Sequence, residues 1–138
     1  MKAILIDPMK REIREVDVTD GDSPAGIREL VDCQWFCIGS YLRDGDAVFT
    51  DDEGLFPGEV EDVYFWAIDA DVIESSYRPP LVGKGLVLGS DKEGCSQSAV
   101  TTVDELASAI RWLGPGRVKF TSEHISYVLH ESKIGGAA

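Results

Sequence analysis

The sequence is poor in the residues on which metal and covalent chemistry is usually built. Three cysteines (Cys33, Cys37, Cys95) and two histidines (His124, His130) are all that 138 residues provide. A Cys-x3-Cys pair with no second pair and no neighbouring histidine does not have zinc-site spacing, and an odd cysteine count argues against a disulfide framework. Buried, reduced thiols of a cytoplasmic protein are the better expectation. Long apolar runs are also missing. Ala3-Ile4-Leu5-Ile6 is broken at once by Asp7-Pro8, too short for a secretory core and far below the ~18 residues of a membrane span. No membrane association is therefore expected. Cations are scarce: 13 Lys and Arg stand against 25 Asp and Glu, for a net charge of −12. That balance argues against direct nucleic-acid binding, which needs clustered Lys and Arg at the phosphates.

What remains is an ordinary globular composition, 43% hydrophobic and 28% charged, of a length that suits one domain burying ~two-thirds of its unfolded surface. Residues 2–7 and 11–18 read as strands joined by a short turn, hence a hairpin. Ser23-Pro24 is a helix start, and Ile27, Leu30 and Val31 share a face, so a helix is expected over 24–32. Residues 33–42 are apolar on both alternating faces, which predicts a central strand covered on each side. Asp44-Gly45 is a hairpin turn into a strand at 47–50, and 63–68 is a strand by composition. Pro79-Pro80 leads into a strand over 81–88 that Gly83 and Gly85 would bulge or open to close approach. A short return strand is expected at 99–101. Thr102 and Glu105 form a capping box, and Leu106, Ile110 and Leu113 line one face of a helix over 103–113 that Gly114-Pro115 stops. Residues 124–130 fit a strand slightly better than a helix, so the packing of the tail, 114–134, stays open. The sum is α+β: a mostly antiparallel sheet with two helices, one domain over 1–134, and frayed residues at 135–138.

Two stretches stand out as functional candidates. The first is the glycine-rich segment around Gly83-Lys84-Gly85 and Gly89. It is no phosphate loop, since Lys84 is followed by Gly85 and an apolar strand where Ser or Thr and a helix would be required. It does not open a helix as a dinucleotide fingerprint does. Its glycines read first as geometric, and second as a bare backbone against which a ligand lies, with Lys84, Arg78 and a stacking Trp66 nearby. The second stretch is residues 44–77, which hold eleven acidic side chains and no Lys or Arg, so −11 of the net −12 lies in 34 residues. A solvated acidic face is the plain interpretation. The sharper one is a surface formed by Asp44, Asp46, Asp51, Asp52, Glu53, Glu59, Glu61 and Asp62 that imitates nucleic acid and engages a basic protein. A divalent-metal site at Asp69-Ala70-Asp71 or Asp51-Asp52-Glu53 is a third interpretation, without EF-hand spacing. No nucleophile has a base beside it in sequence, and the two histidines lie in the tail. No cofactor or metal site is expected, and a non-enzymatic protein is the leading reading, with an enzyme site assembled by the fold from scattered residues as a weaker third.

The opening Met1-Lys2-Ala3-Ile4-Leu5-Ile6-Asp7-Pro8 and the block Pro80-Leu81-Val82-Gly83-Lys84-Gly85-Leu86-Val87-Leu88-Gly89 resemble a family of small proteins carried by phages, prophages and conjugative elements, catalogued as domain of unknown function 3846. The resemblance takes in Cys33 to Phe36, the Asp51-Asp52-Glu53-Gly54-Leu55 turn and the capped helix, and so spans about residues 1–113. It implies an accessory role in a mobile element and no settled chemistry. Together with the acidic segment it leads to an expectation of a non-enzymatic protein, cytoplasmic in the host cell, that binds and inhibits a host protein with a basic surface. The alternative is sequestration of a nucleotide-type small molecule near the glycine-rich strand. A homo-oligomer is compatible with either.

Overall fold

The computed structural model describes residues 1–18, 24–33, 36–51, 63–69, 72–73, 80–93, 95–120 and 125–129. Its elements, in chain order, are β1 (Lys2–Asp7), β2 (Glu12–Asp17), α1 (Pro24–Val31), β3 (Phe36–Tyr41), β4 (Ala47–Asp51), β5 (Val63–Ile68), β6 (Leu81–Val82), β7 (Gly85–Ser90), β8 (Ser96–Gln97), α2 (Val103–Ala109), β9 (Ile110–Phe120) and β10 (Ile125–Leu129). The class is α+β with antiparallel pairing throughout the described strands.

Apolar runs without polar alternation are stable as strands only when both faces are covered. β1 and β7 are such runs, and they pair at the centre of a first sheet ordered β2-β1-β7-β4-β3, with β8 also on β7. The register lines up Ile4, Val87 and Val48 across one face and Leu5, Leu86 and Phe49 across the other. The second face is covered by α1 through Ile27 and Val31. The first packs on Trp66 and Ile68 of β5 and on Leu106 and Ala109 of α2. A second sheet, ordered β10-β9-β5-β6, forms the third layer.

Several sequence expectations change at this level. The strand at 33–42 is central by pattern, yet β3 is the end strand of the first sheet, with Ile38 and Tyr41 exposed. Its apolarity is explained on one side by Phe36, whose ring meets Phe49 edge-on at 5.5 Å. The helix expected over 103–113 ends at Ala109. Thr102 caps it as anticipated, its hydroxyl accepting from the Glu105 N–H at 3.2 Å. Ile110, Arg111 and Trp112 then pair with Ile68, Ala67 and Trp66, because β-branched and aromatic residues gain more from the neighbouring strand than from another helical turn. Gly114-Pro115, read as a stop, lies inside β9; Gly114 takes φ +90° beside a register shift opposite Phe65 and Trp66. The short return strand is at 96–97 instead of 99–101. The described parts of the tail are strand, β10 pairing with the far part of β9.

Candidate functional site

The glycine-rich stretch is not one strand but two, belonging to different sheets. Leu81 and Val82 pair with β5 in the second sheet, and the chain re-forms as β7 in the first from Gly85 onward. The crossing is made at Gly83, whose φ of +72° is open to glycine and strained for other residues. Both backbone groups of Gly83 are held: its N–H donates to the Tyr64 carbonyl at 3.1 Å, and its carbonyl accepts from Trp66 Nε1 at 2.8 Å. Trp66 is fully buried, and its indole fills the gap left by Gly85, where a Cβ would stand 2.6 Å from Trp66 Cζ2. Trp66 is therefore a core anchor of the crossing and is unavailable for stacking a ligand. Gly89 is a close-approach glycine further along, 2.6 Å from the Ser98 carbonyl at its Cβ position.

Lys84 is thus presented from a pinned backbone, and it lines a cleft of about 400 Å³. The rest of the lining comes from three other places: the β1–β2 turn (Asp7 to Lys10), Asp32 beyond α1, and Val63 with Tyr64 at the start of β5. The turn is shaped by Asp7, whose Oδ1 accepts from the N–H groups of Met9 (3.1 Å) and Lys10 (3.3 Å). Met9 is 69% exposed on the rim. The cleft combines an apolar wall with two ammonium groups, and Lys84 Nζ lies 3.9 Å from Asp32 Oδ2. Of the sequence candidates, this site brings together Gly83 and Lys84. Gly85 and Trp66 support the crossing from behind, Gly89 lies further along β7 against Ser98 and Asp46 and away from the cleft, and Arg78 lies outside the described residues. Sequence reasoning missed Met9, Lys10, Asp32 and the placement of Tyr64; no local motif marks them, since only the fold brings them together.

The acidic candidates fare differently. Asp46 is 1% exposed, not a surface group. Its carboxylate accepts from the N–H groups of Val100 (3.0 Å) and Thr101 (2.9 Å), tying the β3–β4 turn to the segment before α2. Asp44 accepts from the Asp46 N–H at 3.0 Å and from the Thr101 hydroxyl. The local cause is turn chemistry: Gly45 at φ +98° closes the hairpin, with its N–H on the Leu42 carbonyl. Asp51 is half-buried at the end of β4, and Asp52, Glu53, Glu59, Glu61 and Asp62 lie outside the described residues.

Among the described residues no three His, Cys, Asp or Glu side chains converge on a metal position; Asp69 pairs with Arg111 at 3.0 Å, while Asp71, Asp52 and Glu53 of the two acidic runs lie outside the described residues. Burial, then the nearby Asp51 carboxylate, push the Cys33 thiol above its usual range, against the lowering effect of Arg28. No described helix is long and apolar enough to cross a membrane.

Fold and cleft together define a small antiparallel α+β domain with a ligand-sized recess where its two sheets exchange a strand. The chain belongs to the family described as Domain of unknown function (DUF3846), whose model matches residues 1–110. Comparison with curated proteins and with solved structures gives no match. The family match ends where α2 gives way to β9, yet β9 pairs along the full length of β5, whose other edge carries only the two-residue β6.

Proposed function

We propose that this protein is a non-enzymatic binder of a small organic anion with a flat apolar part, of the nucleotide type, at the Lys84 cleft. The observation that supports this most is the cleft itself, about 400 Å³ and lined by Lys84, Lys10 and Tyr64. That volume is in the range of small-molecule sites, which typically pair an apolar wall with a few placed polar groups. A lysine held by a fixed backbone loses less freedom on binding than one on a mobile loop. In a mobile-element setting such a protein would sequester a nucleotide-type signal. Thermal unfolding with a panel of cyclic and linear nucleotides tests this. A ligand at 100 times its dissociation constant adds about 2.7 kcal/mol, which raises the Tm of a domain of this size by about 8 °C, and Lys84→Met removes the gain. No shift with any nucleotide would count decisively against it.

A second reading rests on the charge of residues 44–77, eleven acids without a Lys or Arg. Such a segment favours engagement of a host protein through a basic groove, where a single-signed patch steers association. With Asp46 buried and Asp44 hydrogen-bonded within the turn, this surface would depend on Asp51 to Asp62. Asp51→Lys with Glu53→Lys should then abolish capture of the partner while the fold survives, and capture should weaken steeply with salt. Capture insensitive to both would exclude it.

A further inference from the structure

Asp32 occupies a position built for glycine. α1 ends in a Schellman arrangement, the Cys33 N–H donating to the Arg28 carbonyl at 3.1 Å, with Asp32 at φ +61° as the left-handed residue between helix and exit strand. Aspartate tolerates this conformation better than most residues but is less at ease in it than glycine. Backbone held in a sparsely populated region tends to mark ligand clamps, and here it directs a carboxylate at Lys84.

The contact it makes is loose. At 3.9 Å, with Asp32 81% exposed and Lys84 36% exposed, it is longer than the ~2.7–2.9 Å of a charge-assisted hydrogen bond, and an exposed pair of this kind contributes little stability. Among the described residues Lys84 has this single ionic partner and Lys10 has none. The pair is therefore easily exchanged for a better one.

We propose that Asp32 is an internal competitor at the Lys84 cleft, its carboxylate occupying the ammonium until a phosphate or carboxylate group of the ligand displaces it. This rests on the ligand-binding reading above and adds a threshold to it: weak anions fail to displace Asp32, and ligands with a phosphate succeed. It also keeps the ligand-free cleft near neutrality, since its lining sets Lys10 and Lys84 against Asp7 and Asp32.

The test is a titration of the full chain with inorganic pyrophosphate, followed by the amide resonances of Gly83, Lys84 and Gly85. Three variants accompany the wild type: Asp32→Asn, which removes the charge and keeps the tolerance for positive φ, Asp32→Gly, which also removes the backbone strain, and Lys84→Met. Removing one exposed charge beside the site should tighten pyrophosphate binding by about three- to tenfold, equally in Asp32→Asn and Asp32→Gly, and Lys84→Met should abolish it. Binding by Asp32→Asn but not by the wild type would support the competitor role most strongly. If the wild type binds and Asp32→Asn binds no tighter, or only Asp32→Gly gains, the competitor role is wrong while the ligand cleft stands. If no variant binds, both are wrong.

Discussion

Replacing Gly85 by alanine probes the joint on which the cleft depends. The added Cβ would stand 2.6 Å from Trp66 Cζ2 and 2.9 Å from Cη2, whereas carbon atoms pack best at about 3.5–4.0 Å. The indole must therefore retreat by roughly 1 Å, and it is fully buried with its Nε1 committed to the Gly83 carbonyl at 2.8 Å. Overpacking costs about 1–3 kcal/mol and a weakened hydrogen bond about 1 kcal/mol. Loss of glycine's excess chain freedom returns about 0.5–1 kcal/mol. The net expectation is a loss of roughly 2–3 kcal/mol, read as a fall of about 1 M in the urea midpoint at unchanged slope. Gly83→Ala is the contrast, with no atom within 4 Å of its Cβ but φ at +72°, and should cost about 1–2 kcal/mol from backbone strain alone. Trp66→Phe removes the clashing atoms, so Gly85→Ala should cost less than about 0.5 kcal/mol in that background. An equal cost of Gly85→Ala in both backgrounds would refute the reasoning.

Three further outcomes follow from the same contacts. Asp46→Ala leaves the Val100 and Thr101 N–H groups without their acceptor and should destabilise by about 3 kcal/mol, with faster hydrogen exchange at those two amides. A chain ending at Ile110 keeps the family-matched segment but loses the edge that pairs with β5, and should show no cooperative unfolding transition in urea. In thiol labelling at pH 8, Cys95, which is exposed, should react first. Cys33 should lag, because burial and Asp51 hold its proton on; the folded state keeps that proton more tightly than the unfolded chain, so this term is constant at lower pH and erodes stability as pH rises past 9.0. Equal labelling rates for Cys33 and Cys95 would contradict this assignment.

The sequence made the framework legible where one physical cause dominated. β1 and β7 announce themselves as apolar runs, the β1–β2 hairpin by its short turn, and α2 by its capping box. It misled where two causes competed. Ile110 and Leu113 continue the spacing of a helix, but their neighbours also suit a strand, and the pairing available on β5 decides the outcome only in three dimensions. Gly114-Pro115 signals a break, and whether that ends a helix or bulges a strand depends on the partner. Asp46 looks like its acidic neighbours in sequence, since an aspartate that grips backbone N–H groups 54 residues away has no local signature. The cleft was half legible: Gly83 and Lys84 stood out, while Lys10, Asp32 and Tyr64 come from three other segments.

The central claim is that Lys84, displayed at the strand exchange between the sheets, forms the floor of a small-anion site. Its most direct test is amide-resonance mapping with the nucleotide that raises the Tm most. The account predicts perturbations clustered at Met9, Lys10, Tyr64, Gly83 and Lys84 that vanish in Lys84→Met. Perturbations confined to another recess, such as the smaller one of about 170 Å³ beside Arg43 and Thr101, would contradict it.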